Sequence, residues 1–467
     1  MSPTVYANDR LRFPEETLTR SNQSFLIRPT LKVILAAFVM KSLALPLAGT
    51  LPMSLSRQFI PLTLLLSLTP AMLSAGDWLR FRGPNGTGVA TAPGLPVEWT
   101  AKDAAWETLL SGIGHSSPVV RSDRLFVAAA SEDGSERDLV CLNVSDGTIR
   151  WTRSLALQAD KLHPKNSHAS ATPAASEEAV FISFADDKRH IVAAFDHDGN
   201  PLWKRDLGPF ESQHGHGASP IVWHDLVIVP NDQDGPSAVV ALDIRTGDDV
   251  WKADRPAGNT AYGTPLVIEE PGKSPQLISS SQASGITSLD PLTGRANWHT
   301  GGLPQRTVGS PVYAGGLVFQ SCGQAGRGVL MIGADPFATA DGKRIVFEEK
   351  KVLPYVPTPV AFKNLLFLWT DNGIVLALDL KTLKPVWDEP KRVDGNFSAS
   401  PVCVNGNLYA VSEEGEVVVA RASKDFEILG RSPLGDRSHA TPAVANGKLF
   451  FRTFHKIVCI APAKSAK

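Results

Sequence analysis

From residue 76 onward, short apolar runs alternate with turns rich in glycine, asparagine and aspartate. No stretch keeps the 3.6-residue period of a long helix, so the pattern predicts many short strands. Eight of the runs open on a Ser-Pro or Thr-Pro pair: Ser117-Pro118, Thr172-Pro173, Ser219-Pro220, Thr264-Pro265, Ser310-Pro311, Thr358-Pro359, Ser400-Pro401 and Thr441-Pro442. Successive prolines lie 55, 47, 45, 46, 48, 42 and 41 residues apart. One unit reads Pro220-Ile221-Val222-Trp223, then Asp225 to Val229, then Val239 to Asp243, then the turn Arg245-Thr246-Gly247 and a strand beginning near Trp251. Four short strands per repeat of this length predict one antiparallel propeller blade. Proline is tolerated at a strand's first residue, where a missing N–H matters least.

The fold class predicted is therefore all-β, an eight-bladed propeller of four-stranded antiparallel blades. After Thr441-Pro442 there is room for only three strands, ending at Ile457-Val458-Cys459-Ile460. The fourth is assigned to an N-terminal strand at about residues 106–110, with Trp106 in the tryptophan position. That pairing closes the ring and removes exposed sheet edges.

The turn between the third and fourth strands carries the most specific signal. Leu242-Asp243, Thr246-Gly247 and Trp251 recur as Leu289-Asp290, Thr293-Gly294 and Trp298, with related forms ending at Trp151 and Trp203. Blade 6 keeps Asp379, Thr382 and Trp387 but has Leu383 where glycine should stand, and blades 5 and 7 lack the tryptophan. The tryptophan is expected to wedge between blades, and the aspartate to accept backbone N–H groups of its own turn.

These residues resemble the PQQ-like β-propeller repeat family, whose signature Ala-Leu-Asp-x-x-Thr-Gly-x-x-x-Trp is matched fully from Ala241 to Trp251. The resemblance covers roughly residues 76–467 and implies an eight-bladed propeller, as in quinoprotein alcohol dehydrogenases and BamB-type outer-membrane assembly proteins. The opening segment Trp78-x-x-Phe81-Arg82-Gly83-Pro84-Asn85-Gly86-x-Gly88 also resembles the start of secreted planctomycete-type members. The resemblance implies adjacent disulfide-bonded cysteines and carboxylate-held calcium in a dehydrogenase, and this sequence has no Cys-Cys pair and no motif matching the calcium set. PQQ thus has no matching residues, and the cofactor stays unassigned, with a metal as the open alternative. The repeat signature is a packing code and leaves activity open. No kinase loop accompanies it.

The 467 residues are 43% hydrophobic and 20% charged with net charge −1, an ordinary globular balance that gives no support for nucleic acid as partner. Cys141, Cys322, Cys403 and Cys459 stand far apart in apolar runs and are expected to be buried free thiols. Arg57, the apolar Ile60–Leu73 stretch and Ser74-Ala75 follow signal-peptide order, giving a signal peptide at 53–75 and an upstream extension at 1–52, with translation starting at Met53. A membrane anchor in the first 75 residues is the alternative. The mature chain, 76–467, is expected to be exported, periplasmic or extracellular, monomeric, and not integral to the membrane.

Propellers work at the funnel where the innermost strands begin, so the residues just before each Ser/Thr-Pro are the candidates. His115, His168, His216, Tyr262, Arg306 and His439 are the proposed funnel residues for a cofactor or ligand; Tyr355 and His214 hold equivalent places. Two readings compete for the histidines: a transition-metal or anion site at His115, His168, His216 and His439, or caps of a polar, water-lined channel. No metal ligand is assigned. Asn231-Asp232-Gln233-Asp234-Gly235 resembles part of a calcium loop but has Leu242 at the twelfth position, and is read as a turn. The function expected is an envelope binding or scaffold module with a protein partner or small ligand; the alternative is a quinone- or metal-dependent oxidoreductase.

Overall fold

The computed structural model describes residues 76–324, 328–339 and 342–462; the expected signal peptide and upstream extension lie outside them. Eight antiparallel sheets follow one another along the chain, as the repeat predicts. Blade 3 consists of Ile221–Trp223, Leu226–Asn231, Ser237–Asp243 and Asp249–Arg255, within a residue or two of the strands read from the sequence. In blade 8, Ala443–Ala445, Lys448–Arg452 and Lys456–Ile460 are completed by the N-terminal strand Ala104–Leu109, whose Trp106 faces Cys459 in the register. The ring is closed by non-covalent strand pairing alone: all four cysteines are buried free thiols.

The Ser/Thr-Pro pairs explain themselves in this ring. The backbone N–H of one pair's hydroxyl residue donates to the side-chain oxygen of its counterpart in the following blade. Seven such bonds run around the channel, from Ser117 N–H to Thr172 Oγ1 at 3.0 Å through to Thr441 N–H on Ser117 Oγ at 3.1 Å. Serine and threonine alternate strictly around this belt. The short hydroxyl satisfies a buried N–H that the strand ladder cannot reach.

The tryptophan signature is likewise an agreement between neighbours. Trp106, Trp151, Trp203 and Trp251 each lie on the turn glycine of the next blade, Gly147, Gly199, Gly247 and Gly294. Each indole N–H donates to a carbonyl of that turn, at 3.1 Å to Val144, 3.1 Å to His197, 3.0 Å to Ile244 and 3.0 Å to Pro291. The turn aspartates accept backbone N–H groups two and three residues on, as Asp243 does from Arg245 and Thr246. Where blade 5 has lost its tryptophan, blade 6 has lost its glycine, and Leu383 (φ 56°) packs against the core there instead. Blade 6 also shortens its fourth strand to Lys384–Pro385, since proline cannot extend the ladder, and rejoins the sheet at Lys391–Arg392.

A Cβ at Gly247 would lie 2.6 Å from the Trp203 ring, on a residue whose φ of 74° already disfavours a side chain. Gly247→Ala is therefore expected to cost about 2–4 kcal/mol, and Trp203→Ala about 3–5 kcal/mol. The double variant should be more stable than the sum predicts by over 1 kcal/mol, because both changes remove one contact. Strict additivity in chemical denaturation would show that the two residues do not form a unit.

In the segment ahead of the ring, Arg82 and Asn85 reach well beyond their own turn, to blades 4, 6 and 7. Residues 77–92 cross the central channel. Trp78 exchanges backbone bonds with Val120 of blade 1, and Leu79 accepts from Ala175 of blade 2. Asn85 pairs both ways with the Val267 backbone of blade 4, at 2.7 and 3.1 Å. Val89–Ala90 then adds a fifth, parallel strand to Val402–Val404 of blade 7. Gly83 and Gly88 are required because Trp78 and Arg82 fill the space a Cβ would need. The plug turns the channel into a blind funnel.

Candidate functional site

The funnel is a cavity of about 1200 Å³ with Phe81 of the plug and the hydroxyl belt as its floor. One pre-strand residue from each of four successive blades forms one wall: His214, Tyr262, Arg306 and Tyr355. The Arg306 guanidinium hydrogen-bonds Tyr355, its Nε is buried without a hydrogen-bond partner, and it joins no ion pair among the described residues. Burial pushes the Tyr262 hydroxyl up to about 12, so it is a neutral donor at physiological pH. His163 and His214 meet edge to face, ring centroids 4.9 Å apart.

The opposite wall comes from blades 1, 2, 7 and 8. His115 and His439 lie with ring centroids 4.5 Å apart, both against Phe454, whose ring also faces the Arg437 guanidinium. Burial, then the neighbouring His439 and Arg452, holds His115 down to about 3, so it is neutral in the folded protein. The loop ahead of blade 2 reaches across this side as a strap. Its Lys165 ammonium lies 2.6 Å from Glu413 Oε1 of blade 7, while Asn166 donates to the His214 and His216 carbonyls of blade 3. Ser398 holds the same Glu413 oxygen at 2.6 Å, and His439 Nε2 is 3.9 Å from Oε2. Asp371 is turned to structural work, accepting the Tyr355 and Val356 N–H groups at 2.8 and 3.2 Å.

Of the sequence candidates, His115, Tyr262, Arg306 and His439 line the cavity, whereas His168 and His216 do not. His168 Nδ1 sits 2.9 Å from the buried Arg137 guanidinium and 3.0 Å from Asp160, between blades 1 and 2. His216 is buried against His190 and Phe210, with Ser183 Oγ at 3.4 Å. The alternation His214-Gly215-His216 sends one ring to the funnel and one into the core, so the four histidines proposed for one metal do not converge. No group of three or more His, Cys, Asp or Glu side chains is disposed to hold a metal among the described residues. Asp232 pairs with Arg255 at 3.0 Å, and Asp234 caps Thr260, so the calcium-like fragment is a turn. None of the four thiols lines the cavity, so the residues present do not fit a quinone held beneath a cysteine pair. Lys165, Glu413 and Asp371 were not singled out by the sequence reading. The 55-residue first interval, the longest of the seven, is the signal for the strap, because its additional residues are in that loop.

Comparison with known proteins places this architecture. The family described as "Outer membrane protein assembly factor BamB" matches residues 97–270 and, overlapping, 169–389. A relative of that name from Yersinia pestis is 24% identical over 282 residues, which is 58% of this chain and 63% of that protein, less than two thirds of its length. Among solved structures, BamB from Moraxella catarrhalis aligns at 17% identity and TM-score 0.55, over 77% of this chain and all but 1% of that one (99% covered). Quinohemoprotein alcohol dehydrogenase from Comamonas testosteroni aligns at 14% identity and TM-score 0.58, over 84% and 81%. At such identities the structural likeness speaks for the fold alone. With the family match extending over more than half of its length, the chain belongs to the BamB-type family of PQQ-like β-propellers.

Proposed function

We propose that this chain is an exported scaffold of the cell envelope, a monomer whose funnel mouth receives a partner polypeptide. The observation that carries the reading is the blind cavity of about 1200 Å³, larger than the usual small-molecule pocket and rimmed by loops from every side of a rigid ring. The plug closes its far end, so a ligand enters and leaves by one mouth, as an inserted loop or terminus does. Membership of a family named for outer-membrane protein assembly supports the same reading, as does the signal-peptide order at Arg57 to Ala75. No helix among the described residues is long and apolar enough to cross a membrane.

Affinity purification of the tagged full chain from native envelope, with Lys351→Glu at the rim and Lys252→Glu on the outer wall as a control, tests this. Lys351 lines the mouth, whereas Lys252 sits on the outermost strand of blade 3, paired with Asp254. The expected result is a stoichiometric polypeptide retained by the wild type and by Lys252→Glu, and lost from Lys351→Glu. A polypeptide retained equally by both variants, or none at all, would overturn the funnel-docking reading and return the cavity to a small ligand.

A further inference from the structure

The funnel's two walls differ in how their charges are satisfied. On the strap side, Lys165 is matched by Glu413. On the other side, Arg306 has no carboxylate partner among the described residues, and its Nε is buried without a hydrogen-bond acceptor. Lys351 lines the same cavity, also without a carboxylate partner among the described residues: its neighbour Lys350 is the residue that pairs with Glu348. The acidic member of the lining, Asp371, is engaged by two backbone N–H groups. Arg306 is half-buried in the cavity wall, and a cation held there without a counter-ion is one that a ligand's anion can match. Around Arg306 stand the phenol rings of Tyr262 and Tyr355 and the imidazole of His214, a set of donors that suits carboxylate oxygens. Close by, Val308, Val329 and the exposed Val352 give the rim apolar surface, which suits the mixed side chains of a peptide more than the uniformly polar face of a sugar chain.

We infer that Arg306, flanked by Tyr262 and Tyr355, is an anion-recognition site that receives an Asp or Glu carboxylate from an acidic segment of the partner polypeptide inserted into the funnel. This rests on the reading of the funnel as a docking surface and names the chemistry of the docked segment. Arg306 supplies the fork for a bidentate contact, and the tyrosine hydroxyls fix the carboxylate plane. Lys351 at the rim steers the acidic segment from solvent.

Fluorescence anisotropy of the full chain with a labelled Asp/Gly/Tyr peptide tests the assignment, against the same peptide carrying Asn for Asp and against a labelled oligogalacturonate. The Asp peptide should bind with salt-sensitive affinity, and the Asn peptide far less. Arg306→Gln should weaken the Asp peptide about 10- to 100-fold. Tyr355→Phe, which keeps the ring, should weaken it less, and the control Arg421→Gln, at the end of the third strand of blade 7 and paired with Glu427 away from the cavity, should leave it unchanged. Equal binding of the Asp and Asn peptides, indifference to Arg306→Gln in a protein that melts like wild type, or binding of the galacturonate alone would each overturn the inference. Should Arg306→Gln be silent while Lys351→Glu still releases the envelope partner, the carboxylate assignment fails and the docking reading stands.

Discussion

Substitution of Arg82 by alanine or methionine is expected to destabilise the propeller by about 3–5 kcal/mol. Arg82 is wholly buried at the centre of the ring. Its guanidinium donates to Thr358 and Pro401 at 3.2 and 3.0 Å, to Pro359 at 2.7 Å, and back to Gly86 and Thr87 of its own segment. One side chain thereby ties the plug to blades 6 and 7. Two effects oppose each other on removal. Loss of an unpaired buried cation is favourable, since burial alone pulls this guanidinium down to about 9. Against that, several carbonyls lose their donor together, each costing about 1–3 kcal/mol. The second effect wins because three of these bonds, to Thr358, Pro359 and Pro401, go to carbonyls buried inside the ring. Methionine keeps the stem's volume, so a similar loss in both variants assigns the effect to the hydrogen bonds. A loss under 1 kcal/mol in urea denaturation would mean the plug is held by its backbone pairings alone.

Acidification should also be costly, and at an unusually high pH. Burial holds His190 down to about 4, His115 down to about 3 (His439 and Arg452 adding to it), and His216 well below the ordinary value of 6.5. These groups stay neutral in the folded ring but bind protons once unfolded. Their contribution is complete above pH 6.5 and is lost as pH falls from there toward their folded values. Three such groups remove about 4 kcal/mol between pH 7 and 5.5. Asp232, Asp371 and Asp138, raised by burial, act in the opposite direction. Stability measured at pH 7, 6.5, 6 and 5.5 should fall steadily, and His190→Gln, which can keep hydrogen bonds to Ser183 and Asn231, should flatten the slope by about a third. A flat profile across that interval would show the histidines to be protonated in place.

Much of the ring was legible in the chain because its rules are local and repeated. Period-2 apolar runs give strands, Asp-x-x-Thr-Gly gives the turn, and a count of strands after Thr441 leaves blade 8 in need of the one at Ala104–Leu109. Even the irregularities carried meaning, since the missing tryptophan of blade 5 and the missing glycine of blade 6 are two halves of one contact. What could not be read is where non-repeated residues meet. Lys165 and Glu413 are 248 positions apart, and nothing in either neighbourhood announces the other. Equivalent sequence places also proved unequal in space. His115 and His439 line the funnel, but His168 and His216, in the corresponding loops, turn toward buried partners between blades.

The sequence by itself determined the number of blades, their strand order, the way the ring closes and the place of the tryptophans between blades, because those follow from nearest-neighbour packing repeated along the chain. Only the tertiary structure decided that the N-terminal segment plugs the channel, that Arg306 has no counter-ion among the described residues, and that the funnel has one mouth. These depend on side chains brought together across the ring, where distance along the chain carries no information about distance in space.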